Sequence, residues 1–181
     1  SKDGVVILMD LGSALLSAEM ALEFLDGEQR ARVRLCEAPL VEGAIAGAIR
    51  AEAGGSLEEV VTEARGALAA KAVHLGTKVP VPVRAVAAQP GVPVKEVRVT
   101  VCNRLGLHAR PAARFVTRAA GFQSEIRVRN VTRATGAVSA RSINLVATLG
   151  VGQGHEIAIE ASGTDADEAL DALQALVESR F

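Results

Sequence analysis

The feature that most constrains this chain is a stretch rich in proline, valine and alanine, residues 77–94, which separates two halves of different pattern. Pro80, Pro82, Pro90 and Pro93 interrupt it, and its apolar residues follow no helical or strand period. Each proline fixes φ and removes a backbone donor, so the stretch favours an extended, partly stiffened segment. We therefore predict a linker at residues 77–94, between a first domain at residues 1–76 and a second at residues 95–181.

The first half alternates between strand and helix patterns. Residues 4–9 (GVVILM) form a short apolar run that predicts a strand buried on both faces, and residues 32–36 predict a second strand. Helices are expected over residues 13–25, from Pro39 to Gly54, and from the capping box at Ser56 to about His74. This order predicts an α/β domain on parallel strands, although two strands are few for such a sheet.

The second half predicts a different class, α+β. Its expected strands lie at residues 96–101, 124–129, 134–140 and 155–161, and its expected helices lie at residues 109–119, at 141–149 and from 164 onward. The order β-α-β-β-α-β-α describes an open-faced β-sandwich with helices on one side of an antiparallel sheet.

Composition excludes several function classes. The formal net charge is −1, which provides no field for holding nucleic acid or an anionic membrane. We find no pattern for a signal peptide or a membrane span, and therefore expect a cytoplasmic protein. Cys36 and Cys102 lie in separate apolar stretches and are expected to be reduced, buried thiols. The sequence suggests no metal site and no cofactor.

The segment most indicative of chemistry is GLHARPAA, residues 106–113, where a strand gives way to a helix. Pro111 suits an early helical position, which places His108 at or just before the N-cap. The free N–H groups of the first turn then form an anion site beside a nucleophilic imidazole, and Arg110 adds a guanidinium for phosphoryl oxygens. The alternative is a capping histidine beside a surface arginine, and the surrounding order of elements favours the phosphoryl site.

GLHARPAA, followed by SINLVATLGVGQGHEIAIEASG and a final amphipathic helix, resembles the histidine-containing phosphocarrier HPr over residues 95–181. The resemblance implies that Enzyme I phosphorylates His108 on Nδ1, with Ala109 and Arg110 binding the phosphoryl group. Leu105 departs from the family, which often has a small polar residue there. Ser142 matches a position at which some phosphocarriers are regulated by a serine kinase. We favour the alternative that Ser142 caps the following helix.

The first half, with DGVVILMDLGSALLSAEMALEFL and RVRLCEAPLVEGAIAGA, resembles the phosphotransfer subunits of bacterial dihydroxyacetone kinase. These join a mannose-type EIIA domain to HPr. The resemblance implies an EIIA histidine that lies after a first strand and passes phosphate to ADP on the kinase's nucleotide-binding subunit. That first strand is expected to precede Ser1. We therefore expect an N-terminally truncated EIIA domain that retains Asp10 to orient that histidine, with Gly12 and Ser13 beside its phosphate.

Two functions from different classes follow. The first is a phosphotransferase component that relays phosphate from Enzyme I through His108 towards dihydroxyacetone kinase. The second is a non-catalytic adaptor whose partner binding is switched by phosphorylation of His108. Self-association through the EIIA-like domain is also expected, because its sheet would have unpaired edges. The glycines at 150, 152 and 154 are interpreted as a turn, and His155 as a surface loop residue.

Overall fold

The structure, a computed structural model, describes residues 3–76 and 93–181 and divides into two compact units, residues 1–68 and 69–181. Residues 77–92 of the predicted linker lie outside the described residues. None of the helices within those two ranges combines the length and the apolar composition that crossing a bilayer requires.

The first unit alternates strand and helix, as predicted. Its elements are β1 (Val5–Leu8), α1 (Gly12–Glu23), α2 (Gly27–Ala31), β2 (Val33–Cys36), α3 (Leu40–Glu52), α4 (Leu57–Arg65) and a 3₁₀ turn (Gly66–Leu68). Strands β1 and β2 pair in parallel, with Val5 opposite Val33 and Leu8 opposite Cys36. Helix α2 was not predicted. It begins where the Asp26 carboxylate accepts the Gln29 N–H at 2.8 Å, an N-cap bond.

The core of the first unit is small. Cys36, Ala38, Val61 and Ala64 are buried, and Val6 and Leu8 pack against them. The prediction that β1 is buried on both faces is wrong, since its residues are half-buried or, at Val5, exposed. Helices α3 and α4 pack on the strands, whereas α1 buries none of its residues. The strands therefore lack the second covering layer that full burial requires.

The predicted helix from Ser56 to His74 is divided. Its start is confirmed as a capping box, in which the Ser56 N–H donates to Glu59 at 2.8 Å and the Ser56 hydroxyl accepts the Glu59 N–H. Glycine is a poor helix former, and at Gly66 the α-helical geometry gives way to the 3₁₀ turn. Helix α5 (Ala69–His74) follows and belongs to the second unit.

The second unit confirms the predicted open-faced sandwich. After α5 its elements are β3 (Lys95–Thr100), α6 (Ala109–Ala120), β4 (Glu125–Asn130), β5 (Val138–Ser139), α7 (Ile143–Thr148), β6 (Glu156–Ser162) and α8 (Ala166–Glu178). The strands form an antiparallel sheet in the order β3-β6-β4-β5. Strand β5 is shorter than the predicted residues 134–140. Ala134 adopts a left-handed φ of 50° at the turn after β4, which delays pairing until Val138.

Aliphatic side chains build the core of this unit, with Phe115 the largest buried side chain. Alternation along β3 turns Val99 and Val101 inward. Cys102, the next residue, therefore lies on the exposed side, and the prediction of a buried thiol there is wrong. Cys36 is buried, as predicted.

Asp165 ties the start of α8 to the start of β4. Its carboxylate accepts the Gln123 N–H at 2.7 Å, the Ser124 N–H at 2.8 Å and the Ser124 hydroxyl. The Ser124 hydroxyl, followed by the Gln123 N–H, lowers the pKa of Asp165 from 3.8 to about 2, because these donors stabilise the ionised form.

We predict that Asp165→Asn destabilises the protein at neutral pH, because an amide oxygen cannot replace a carboxylate that accepts these three bonds. The pKa of Asp165 is lowered in the folded state, so its stabilisation is complete above 3.8 and is lost as the pH falls towards 2. In urea unfolding, the free energy of unfolding of the wild-type protein should exceed that of Asp165→Asn at neutral pH. This difference should decrease as the pH falls from 3.8 towards 2. Asp171→Asn, an exposed position on α8, serves as the control. An equal acid dependence of the three proteins would contradict the assignment.

Candidate functional site

His108 is the N-cap residue of α6. Its backbone is extended, with φ −77° and ψ 178°, and its carbonyl accepts the Ala112 N–H at 2.8 Å, the first bond of the helix. The side chain is exposed, and within the described ranges no group hydrogen-bonds to its imidazole. The ring is therefore held through the backbone and is accessible from solvent.

The first turn of α6 supplies donors beside His108. The N–H groups of Ala109 and Arg110 precede the first intrahelical bond and have no helical partner, whereas Pro111 has no N–H. The turn contains no acidic residue. Two amides and the positive end of the helix dipole therefore favour an anion at this position.

Arg110 is exposed and forms no ion pair with any described residue. This contrasts with other arginines of the second unit, such as Arg129, which bonds to both Glu96 and Glu160. An unpaired guanidinium one turn or less from a nucleophilic ring retains its full capacity to bind phosphoryl oxygens. The structure thus places His108, Ala109 and Arg110 together, as the sequence predicts.

The segment before His108 is fixed by backbone contacts. Gly106 has a left-handed φ of 66°, and a Cβ there would overlap the carbonyl oxygen of Val151. The next residue, Leu107, is 6% exposed and donates its N–H to that same oxygen at 3.0 Å. Asn103 closes the turn by accepting the Gly106 N–H at 2.9 Å through its carbonyl and donating its amide to the Gly106 carbonyl.

The loop at residues 149–155 is the part of the site that sequence reasoning missed. The prediction of a turn at its glycines is confirmed, since Gly150 and Gly154 have positive φ and the loop leads into β6. His155 is not the surface residue that was predicted. It is half-buried, and its Nδ1 lies 3.1 Å from Nδ2 of the buried Asn130 and 3.2 Å from the Gly152 nitrogen. The glycine spacing is the signal that marks this loop.

Ser142 is the N-cap of α7, and its hydroxyl accepts the Leu145 N–H at 3.2 Å. This is the capping role that the sequence favoured. In the same helix Ile143 and Val146 are buried, and Leu145 is half-buried.

Asp10, Gly12 and Ser13 lie together in the first unit, where β1 leads into α1. The Asp10 carboxylate accepts the Leu11 N–H at 2.8 Å, and the N–H groups of Gly12 and Ser13 open the helix. A cleft of about 300 Å³, lined by Asp10 and Gly12, extends to the end of β2, where Glu37 lies. A hydrogen bond from Arg65 lowers the pKa of Glu37. Among the described residues, no three His, Cys, Asp or Glu side chains are grouped for a metal ion.

We predict that Gly106→Ala disrupts the segment before His108. A left-handed φ destabilises alanine by about 1–2 kcal/mol, and here its methyl group would also overlap the Val151 carbonyl. Urea unfolding should show a loss of at least this size. Gly136→Ala is the matched control, because a Cβ at Gly136 meets nothing within 4 Å and φ is not positive. Equal stability of the two variants would contradict the close approach.

Comparison with known proteins identifies both halves of the chain. The family described as "PTS HPr component phosphorylation site" matches residues 95–179, and the family described as "PTS system fructose IIA component" matches residues 1–61. The phosphocarrier protein NPr of Shewanella violacea is 41% identical over 86 residues, which cover 48% of this chain and 91% of that protein. A crystal structure of HPr from Thermoanaerobacter tengcongensis is 45% identical and covers 48% of this chain and 94% of its own, with a TM-score of 0.45.

A relative that matches along the whole chain is the phosphoryl donor subunit DhaM of PEP-dependent dihydroxyacetone kinase from Pantoea ananatis. It is 41% identical over 180 residues, or 99% of this chain and 37% of its own length. The chain thus spans little more than a third of that relative. The family predicted from the sequence is confirmed: the chain belongs to the HPr phosphocarriers, carries an EIIA-like domain before its HPr domain, and is similar throughout to phosphoryl donor subunits of dihydroxyacetone kinase.

Proposed function

We propose that this protein is a phosphoryl-transfer component that accepts a phosphoryl group on His108 from Enzyme I. The observation that carries the proposal is an exposed imidazole at the N-terminus of α6, beside two free amides and the unpaired Arg110. Each of these features stabilises negative charge on a group bonded to the ring. The family match over residues 95–179 supports the same assignment.

The proposed reaction is a transfer between two histidines. A lone pair on Nδ1 of the neutral His108 ring attacks the phosphorus of phospho-Enzyme I, a new N–P bond forms, and the N–P bond to the donor histidine breaks with its electron pair. Little covalent chemistry is required of the protein, so positioning and charge stabilisation carry the rate. The Ala109 and Arg110 amides and the Arg110 guanidinium would bind the equatorial oxygens.

We further propose that the phosphoryl group moves towards dihydroxyacetone kinase, with ADP on its nucleotide-binding subunit as the final acceptor. The similarity to DhaM supports this direction. The proposal keeps the predicted ranges: residues 1–76 for the EIIA-like domain, residues 77–94 for the linker and residues 95–181 for the phosphocarrier. Of the first range, helix α5 packs with the second unit. The protein would work in the cytoplasm, where the donor and ADP are found. In the EIIA-like domain, Asp10 would orient the acceptor histidine, and Gly12 and Ser13 would face its phosphate.

Incubation with phosphoenolpyruvate and Enzyme I should add one acid-labile phosphoryl group, measured by intact mass before and after acid treatment. His108→Ala should abolish it, whereas His155→Asn, which keeps His108, should not. If a folded sample takes up no phosphate, the relay is excluded and an adaptor function becomes the better account. Phosphorylation without passage to any acceptor would likewise favour an adaptor switched by His108.

Arg110→Ala should slow phosphorylation of His108 by roughly 10- to 100-fold, because a charge-assisted bond contributes about 1.5–3 kcal/mol. Arg114→Ala is the matched control, since Arg114 is exposed on the same helix one turn further from the ring. Initial rates with phospho-Enzyme I measure the difference. Equal rates for the two variants would remove Arg110 from the site.

We propose in addition that the EIIA-like unit self-associates through α1. On this helix and its C-cap residue, Leu16 is 62% exposed, Met20 63% and Phe24 88%, an apolar face unusual for a monomer surface. Sedimentation velocity should show a dimer that dissociates in Met20→Ser/Phe24→Ser. Leu105→Ser, which changes an exposed leucine of the second unit, should leave the dimer intact. A monomeric wild-type protein would contradict self-association.

A further inference from the structure

We propose that His155 is a positioning residue for His108, acting through the loop at residues 149–155. The proposal rests on the phosphoryl-acceptor function proposed for His108. His155 belongs to no part of that reaction as described. Its side chain nevertheless holds the backbone against which the segment before His108 is fixed.

The hydrogen bonds of His155 define its tautomer. The Gly152 N–H, 3.2 Å from Nδ1, can only donate, so Nδ1 is an acceptor and carries no proton. Nδ2 of Asn130, 3.1 Å from the same nitrogen, then acts as a second donor. The neutral ring must therefore carry its proton on Nε2.

Asn130 supports this assignment because every polar atom of its side chain is used. The residue is fully buried. Its Oδ1 accepts the Arg133 N–H at 3.2 Å, and its Nδ2 donates to the Leu149 carbonyl at 3.0 Å as well as to His155. Reversing the amide would oppose donor to donor at Arg133 and acceptor to acceptor at Leu149. Asn130 and His155 thus hold the loop at Leu149 and at Gly152.

The loop in turn holds the segment that leads to His108. Between the two anchored positions lies Val151, whose carbonyl accepts the Leu107 N–H and contacts Gly106. At the other end, the Val101 N–H donates to the His155 carbonyl at 2.9 Å, and the Gly154 N–H donates to the Val101 carbonyl at 2.8 Å. Residues 101–107 are therefore hydrogen-bonded to this loop at both ends, and the next residue is His108.

These hydrogen bonds between His155, the loop and the segment before His108 predict a specific effect on phosphoryl transfer to His108. The Val151 side chain is buried, but one peptide group carries both the Val151 carbonyl that accepts the Leu107 N–H and the Gly152 N–H that donates to Nδ1. Without the acceptor at Nδ1, that N–H and Nδ2 of Asn130 lose their partner, and glycine at position 152 leaves the peptide group free to reorient. The His108 ring would then be misplaced by fractions of an ångström although the fold persists. Misplacement on this scale slows group transfer far more than it weakens global stability.

The experiment compares His155→Leu, which removes the acceptor, with His155→Asn, which keeps one. Asparagine Oδ1 is bonded to Cγ, as histidine Nδ1 is, and can accept the same hydrogen bonds. Initial rates of phosphorylation by phospho-Enzyme I are measured on folded full chain, with urea unfolding in parallel. We expect His155→Leu to be slower by roughly 10- to 100-fold, and His155→Asn to recover most of the rate. Equal slowing of both variants, or no slowing of His155→Leu, would overturn the proposal.

An NMR measurement on the unphosphorylated protein separates this proposal from the function on which it rests. Nitrogen-15 shifts should identify the Nε2–H tautomer of His155 in the wild-type protein, and a protonated Nδ1 at neutral pH would overturn the proposal. Hydrogen exchange of the Leu107 amide should accelerate in His155→Leu and return towards the wild-type rate in His155→Asn. If wild-type His108 accepts no phosphate, the phosphocarrier function fails, and these two readouts still decide whether His155 fixes the segment.

Discussion

The hydrogen bond from the Leu107 N–H to the Val151 carbonyl is the contact on which the site depends. It requires two backbones to meet without a side chain between them, which only glycine at position 106 permits. Leu107, buried beside it, anchors the chain in the core. His108 is consequently placed by main-chain contacts, and its ring needs no partner to hold it. For the phosphoryl acceptor proposed above, this arrangement means that no hydrogen bond of the ring has to break before transfer.

The two candidate sites share a design but differ in charge. Each places a short loop before a helix whose first N–H groups are free, at Ala109 and Arg110 in one unit and at Gly12 and Ser13 in the other. At the first, an unpaired arginine completes an anion site. At the second, Asp10 and Glu37 line the cleft, and Arg65 is already bound to Glu37. Two carboxylates repel a phosphoryl group, so this cleft needs a cationic or imidazole group to bind one. Asp10 is suited to orient such a group and unsuited to bind phosphate itself.

Local signals predicted what depends on neighbours in the sequence. The capping box at Ser56, the N-cap position of His108 and the cap at Ser142 were all predicted correctly, because each rests on residues within one helical turn. Burial was predicted less well. The exposure of β1 and of Cys102 depends on which elements cover them, and periodicity does not report that. The predicted range of strand β5 was too long for a related reason. A turn residue, Ala134, interrupts a segment whose composition favours a strand.

His155 shows why part of a site escapes sequence reasoning altogether. One of its partners, Asn130, lies 25 residues earlier, and only the sheet brings the two together. The glycines at 150, 152 and 154 predict a turn, but they do not indicate that other residues must fix its backbone position. Glycine allows a backbone to approach another closely and also gives it freedom to move away. A site that depends on such a close approach therefore requires a second element that restricts the backbone. A hydrogen-bonded pair of polar side chains, here the buried Asn130 and the half-buried His155, does this because hydrogen bonds are directional. Glycine-dependent loops beside a reactive residue are thus the place to look for such a pair.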